Sequence, residues 1–291
     1  MARLGENQYG KAEIRVMKVD RDRPEHVLHD LTVGVALAGD MAAVHLVGDN
    51  SAVLPTDTQK NTVHAFAREH GVGEVEDFAE LLARHFVDTQ QAVHRATVSI
   101  DEHPWERLAD HSFARTGRET RTTTVTYDGD RTRVRSGLRD LVLLSSTGSE
   151  FQGFATDRYT TLPETDDRIL CTSVEARWRC AEPPADWRTS YDGVRAALVT
   201  AFADTYSRSL QQTLYAMGTR VVETCPGVEE VRLRLPNRHH ILVDLGPFGL
   251  ANPGEVFHVD DRPYGLIEGT VLADGALPDD WADDWASGGV W

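Results

Sequence analysis

The 291-residue sequence predicts an α+β protein in which antiparallel sheet carries helices on one face, arranged as two similar halves. Three observations lead there. Alternating strand patterns are joined by short polar turns, two amphipathic helices interrupt them in each half, and no strand–helix–strand crossover of the kind a parallel sheet needs can be found. Each half reads strand, strand, helix, helix, strand, strand.

The elements follow in order. From Tyr9 onward Ala12, Ile14 and Val16 fall on one face and Lys11, Glu13 and Arg15 on the other, a half-buried strand. The charged loop "DRDRPEH" leads to a second strand in "LTVGVALAGD". A helix is expected from about Thr56 to His70, stopping at Gly71, and a second carries Val75, Phe78, Leu82 and Phe86 at helical spacing. Strands return at about 91–100 and 120–127, and "YDGD" turns the chain into another at about 131–146. The second half repeats the order, with strands at about 132–146 and 169–180, helices at 190–206 and 209–223, and strands at 229–236 and 239–245. The expected units are therefore 1–130 and 131–291, the latter ending in the acidic tail "LPDDWADDWASGGVW", which reads as loosely held. A sheet of this kind leaves open edges, so pairing between chains is expected.

Composition narrows the function. Against 30 Lys plus Arg stand 46 Asp plus Glu, a formal charge of -16 that repels phosphate backbones and anionic membranes. There is no secretory leader and no apolar run near the roughly 18 residues of a membrane span, so a soluble, cytoplasmic chain is expected. Cys171, Cys180 and Cys225 form no CxxC pair and suit reduced thiols. Cations are almost all arginine; only Lys11, Lys18 and Lys60 depart from that habit, and lysine, unlike arginine, can be tuned to give up its proton near neutral pH.

Chemistry concentrates in a few stretches. In "LPTDTQKNTV", Pro55 stops an extended segment and "TDTQ" fits a capping box, with Thr56 or Asp57 at the helix N-terminus. Free N–H groups and the helix dipole there suit an anion, although an ordinary cap would look the same. A second box, "SLQQ" from Ser209 to Gln212, opens another helix. Between them, "GSEFQGFATDRYTTLPETDDRIL" offers Phe151 to stack on a planar ligand and Arg168 to grip an anionic edge; singly they also read as a core aromatic and a surface ion pair. In "LPNRHH", Asn237 and His239 lie just past a strand end where polar groups can enter a cleft, although an ordinary turn would look the same. His26 and His29 sit in a charged loop, adjacent His239 and His240 would face opposite ways on a strand, and the cysteines lack ligand spacing, so no metal is expected. No dinucleotide, phosphate-loop or nucleophile-elbow motif appears, so no cofactor is expected either.

Taken together, "NQYGKAEIRVMKV", "LPTDTQKNTV", "HSF", "GSEFQGFATDRYTTLPETDDRIL", "SLQQTLY" and "LPNRHHILVDL" resemble the successive motifs of the urate oxidase (uricase) family, in order and nearly end to end. The resemblance implies the tunnelling fold, two β-β-α-α-β-β units per chain assembled as a homotetramer around a central tunnel. It implies oxidation of urate by dioxygen and water to 5-hydroxyisourate and hydrogen peroxide, with no cofactor. By this likeness Lys11 draws a proton from the Thr56 hydroxyl and His239 completes the relay. Arg168 and Gln211 grip one purine edge with help from the Leu210 backbone, where a leucine is a conservative variant. Phe151 stacks on the ring, the Asp57 N–H bonds the opposite edge, and Asn237 with Thr56 supports dioxygen or water above it. Lys11, Thr56 and Asp57 would come from one subunit and the rest from its two-fold partner. Two other readings remain at this stage. One is a sister tunnelling-fold enzyme of the cyclohydrolase or aldolase kind, against which the missing buried carboxylate and Cys/His ligands weigh; the other is an inactive purine-binding scaffold, against which Lys11 and Thr56 weigh.

Overall fold

The computed structural model describes residues 2–278; beyond Pro278, the acidic tail lies outside the described residues. The chain divides into two compact units, Met1–Gly137 and Leu138–Pro278.

In the first unit, strands β1 (Tyr9–Asp20) and β2 (Val27–Gly39) precede a short helix α1 (Ala42–Val47) and the helices α2 (Thr56–Glu69) and α3 (Val75–Thr89). Then come β3 (Val93–Glu102), a separate hairpin of β4 (Trp105–Ala109) and β5 (Ser112–Arg115), and β6 (Thr120–Tyr127). The sheet runs β1-β2-β3-β6, antiparallel throughout. Its core face is built by period-two burial: Leu31, Val33, Val35 and Leu37 on β2 are all fully or almost fully buried, as are Val98 and Ile100 on β3. The helix α3 meets that face with Val75, Phe78, Ala79, Leu82, Ala83 and Phe86, a stripe at three- and four-residue spacing.

The second unit begins within β7 (Thr132–Ser145) and continues with β8 (Leu170–Cys180), α4 (Trp187–Asp204), α5 (Leu210–Thr224), β9 (Val228–Leu242) and β10 (Phe257–Leu272), in sheet order β7-β8-β9-β10. Its core joins Val174, Ala176 and Trp178 of β8 and Val231, Leu233 and Leu235 of β9 to Leu198, Phe202, Met217 and Val221 of the helices. Where α5 crosses β10 only glycine fits at position 218, since a Cβ there would lie 2.4 Å from the Val271 side chain.

The α+β architecture and the helix pairs agree with the sequence reading, and three elements correct it. The strands expected at 229–236 and 239–245 are one strand, β9, running straight through Pro236; "LPNRHH" is therefore not a turn. The fourth strand of the unit is β10, whose Pro263, Gly265 and Gly269 mask its strand signal. A register shift between Asp260 and Gly265 absorbs the irregular part of it. The hairpin β4–β5 lies between the expected strands. It is held by a buried carboxylate, Asp30, which accepts from Arg115 (2.7 Å) and from the Trp105 indole (3.0 Å).

Candidate active site

The first unit sets Lys11 in an unexpected direction. Gly10 packs so tightly on β2 that a Cβ would lie 1.8 Å from the Val35 carbonyl oxygen. Lys11 then pairs with Val35 and Ile14 with Val33, so Ala12 and Glu13 together oppose the single residue Gly34, a β-bulge. Glu13 takes a left-handed φ of 57° to make it. Directly paired residues share a face of the sheet. Since Val33 and Val35 both face the core, Lys11 shares that face with Ile14 instead of opposing it, and the simple alternation read from the sequence is wrong by one residue at this point. The second unit repeats the device: in Gly137-Leu138-Arg139-Asp140-Leu141, Asp140 has φ 65°, and the position matching Lys11 is Leu138, fully buried. Lys11 thus occupies a place the fold otherwise gives to a core leucine.

Helix α2 opens on the same face. The Tyr9 hydroxyl donates to the Leu54 carbonyl (3.0 Å), tying the segment before the helix to β1. The expected capping box does not form: Pro55 is the N-cap, and the Gln59 side chain reaches Leu54 O (3.3 Å) while its N–H bonds Pro55 O (3.1 Å). In consequence the N–H groups of Thr56, Asp57 and Thr58 have no hydrogen-bond partner among the described residues. The Asp57 carboxylate is turned back along the helix to Lys60 and Asn61 (3.1 Å). Its pKa is lowered chiefly by the Lys60 hydrogen bond, with the Lys11 charge adding to the effect. Lys18 pairs with Asp20 and Lys60 with Asp57, whereas Lys11 makes no salt bridge among the described residues and acts on Asp57 through its charge alone. Three open N–H donors, a hydroxyl and a lysine without a salt bridge can together bind an electron-rich, anionic ring; in its neutral amine form a lysine also accepts a proton.

In the second unit, the segment after β7 is folded tightly by its own backbone. Phe151 and Thr165 exchange two hydrogen bonds (2.9 and 3.1 Å), Arg168 N donates to Ser149 O (2.8 Å), and Asp167 accepts from Thr147 and Gly148 N. This brings Phe151 and Arg168 together, with the guanidinium 5.1 Å from the ring centroid, while Phe154 stacks on Phe151 at 5.0 Å. Arg168 is half-buried, and burial lowers its pKa. It makes no ion pair among the described residues, and its one side-chain bond goes to Ser149 Oγ (3.3 Å). The surface-pair reading of Arg168 is therefore excluded, and an anionic or carbonyl edge is what its open fork suits.

The same loop is bridged to the start of α5. Glu150 N donates to Ser207 O (2.8 Å) and Ser207 N to Gly148 O (2.9 Å). Ser209 caps the helix by accepting from Gln212 N (3.2 Å), while the Gln212 carboxamide accepts from Arg208 N (2.8 Å), so the second capping box forms one residue early on its return bond. Leu210 and Gln211 are thereby held at the first turn, the leucine buried and the glutamine side chain exposed. Beneath them Ser149, Ser207 and Thr213 are buried, with Thr213 donating to Ser207 Oγ (2.8 Å). Asn237 and His239 follow Val231, Leu233 and Leu235 along β9 with the same parity, so the core stripe becomes polar without the strand ending. Asn237 is paired with Thr172 of β8 and Gly265 of β10, and His239 with Asp260.

The structure thus groups Lys11, Thr56 and Asp57 in one unit, and Phe151, Arg168, Leu210 and Gln211 in the other, with Asn237 and His239 on the adjoining strand. Sequence reasoning missed Tyr9, the buried hydroxyls and Thr172. The last was findable, because a threonine falls in phase with the apolar set of "LCTSVEARW".

The model of the uricase family matches residues 7–126 and 134–268. The uricase of Arthrobacter globiformis is 48% identical over 278 residues, covering 95% of this chain and 92% of that relative. That of Dictyostelium discoideum is 38% identical over 281 residues, covering 93% and 98%. A crystal structure of the Arthrobacter globiformis uricase aligns with a TM-score of 0.94 at 46% identity, over 98% of this chain and 99% of that one. A uricase from Bacillus fastidious aligns with a TM-score of 0.81 at 23% identity, over 92% and 94%, a likeness of fold.

Proposed function

Because the chain belongs to the uricase family and is an oxidoreductase that oxidises urate, we propose that it does so directly with dioxygen, using no metal or organic cofactor. Urate, dioxygen and water give 5-hydroxyisourate and hydrogen peroxide. Urate loses two protons and then an electron pair to dioxygen; water adds its oxygen at C5, and the released protons complete the peroxide.

Lys11 is the base that keeps the Thr56 hydroxyl able to accept a proton, and His239 returns protons to the oxygen side. Such general-base work contributes about 10²–10⁴-fold. Arg168 and Gln211 hold one purine edge with the Leu210 N–H, the Asp57 N–H holds the other, and Phe151 stacks on the ring. Asn237 and Thr56 bind dioxygen or the attacking water. The observation that carries this reading is Lys11, free of any salt bridge among the described residues and aimed by its bulge to the face on which α2 presents three open N–H groups.

The reading extends to assembly: two tandem tunnelling-fold units divided near residue 130, a homotetramer, and sites completed across a two-fold subunit interface. Exposed Ile241, Val259 and Leu266 in the β9–β10 pair support burial against another copy. A cytoplasmic enzyme agrees with the free cysteines and with the absence, among the described residues, of any helix long and apolar enough to cross a membrane. The test is aerobic incubation of purified protein with urate, following ultraviolet loss of urate and formation of peroxide, before and after dialysis against EDTA. Equal urate loss and peroxide, unchanged by chelation, are expected; activity lost to EDTA and restored by one metal would refute the cofactor-free mechanism.

A further inference from the structure

Thr172 lies in the middle of the second unit's sheet, fully buried, and its hydroxyl oxygen has no hydrogen-bond partner among the described residues. Leaving a buried hydroxyl unpaired is costly, so such an atom calls for an explanation. Its same-face neighbours along β8, Leu170 and Val174, are buried and apolar. Directly across the ladder on β9 stands Asn237, and directly paired residues have Cβ atoms about 4.5–5.5 Å apart on the same face. The β9 side chain preceding Asn237 on that face, Leu235, is apolar and fully buried. Asn237 therefore offers the hydroxyl a polar group across the strand pair.

The geometry points to Thr172 as the positioning residue for Asn237. The inference rests on the proposed role of Asn237 beside dioxygen. A carboxamide can present either its NH₂ or its oxygen outward, and the two orientations differ only by a flip about one bond. Oxygen reduction builds negative charge on the peroxide, so the outward group has to be the donor. That requires the Asn237 Oδ1 to face inward and to accept a hydrogen bond there. No hydrogen bond joins the two side chains in this structure; a turn of the Thr172 hydroxyl toward Asn237 Oδ1 supplies it and selects the productive flip. Gly265 on the other flank of Asn237 has no side chain to compete.

The test compares Thr172→Val, which keeps shape and removes the hydroxyl, with Thr172→Ser, which keeps the hydroxyl; Asn237→Ala and the Thr172→Val/Asn237→Ala pair complete a double-mutant cycle. Thr172→Val is expected to lower kcat about tenfold, the scale of one lost orienting hydrogen bond, with unchanged affinity for a non-reactive purine analogue and an unchanged or higher melting temperature. Thr172→Ser should retain most of the turnover, and the valine change should add nothing in the Asn237→Ala background. If the valine variant fails to fold, Thr172→Ala carries the same expectation for kcat and analogue affinity, with a lower melting temperature from the cavity it leaves. Wild-type kcat in a hydroxyl-free variant, or a loss that adds in full to that of Asn237→Ala, would overturn the inference alone. Wild-type kcat in Asn237→Ala would instead remove Asn237 from the oxygen side, and the inference with it.

Discussion

Replacing Lys11 by methionine should make the protein more stable and nearly inactive. The side chain stands on the core face beside Val35, at the place where the second unit carries the fully buried Leu138. Fully burying a methionine stabilises by about 1.5–3 kcal/mol. A half-buried site captures roughly half of that, about 1 kcal/mol, which for a unit of this size is a rise of about 3–5 °C in melting temperature. The Lys11 charge lost from Asp57 offsets little of this, because that carboxylate is exposed and already tied to Lys60. Turnover should fall about 10²–10⁴-fold, the worth of a positioned base, or roughly 3–5 kcal/mol of barrier. Affinity for a non-reactive purine analogue should change far less than kcat. The assay pairs steady-state urate oxidation with analogue binding and a thermal scan at one fixed rate. Wild-type kcat would remove Lys11 from the proton relay. A lowered melting temperature would show that the bulge does not aim this side chain at the core face.

Other outcomes follow from the geometry. Arg168→Lys keeps the charge but loses the fork, so KM for urate should rise roughly 10- to 100-fold, the worth of a charge-assisted hydrogen bond; an unchanged KM would place the purine edge elsewhere. His103 Nε2 and the Thr32 hydroxyl are hydrogen-bonded at 2.7 Å, and the hydroxyl oxygen accepts from Arg15 (2.7 Å). Desolvation first, then Arg15 and Arg115, lower its pKa, against the smaller pull of Asp30 and Asp101. A depressed histidine stabilises the fold above its unfolded value of about 6.5 and loses that contribution as pH falls through the folded value. Melting temperature should therefore drop as pH falls below about 6.5 toward the folded value, and His103→Gln should flatten the drop; an equal drop in the variant would assign it to other groups. Finally, Thr56→Ala and Arg168→Ala homo-oligomers should each be nearly inactive. Random reassembly makes about half of the two-fold pairs mixed with one intact site in each, so roughly a quarter of wild-type activity should return on co-refolding. No recovery despite proven subunit exchange would place the whole site within one chain.

How much of this was legible in the sequence varies with the kind of interaction. Helices α2, α3, α4 and α5 were found within a few residues because a 3.6-residue apolar period is a local property. Strand β10 was not, because Pro263 and two glycines weaken a pattern that its pairing with β9 then enforces. Phe151, Arg168 and Gln211 could be named from motifs, yet singly they had blander readings. What separates Arg168 from an ordinary surface ion pair is a half-buried fork that makes no ion pair among the described residues, which depends on a loop closed by bonds from Ser149, Ser207 and Asp167.

By itself the sequence determined the α+β class, the four long helices, the acidic net charge, and the family through six ordered motifs. All of these are written in local periodicity, composition or contiguous words. Only the tertiary structure decided that Lys11 faces the core side, that Asn237 and His239 continue a strand instead of leaving it, and that Thr56, Asp57 and Thr58 keep open N–H groups. The reason is that a bulge shifts the facing of every residue on one side of it relative to the other. Whether one forms after Gly10 depends on how closely β1 meets the Val35 carbonyl, a contact between residues about 25 positions apart, which no local pattern in "YGKAEI" records.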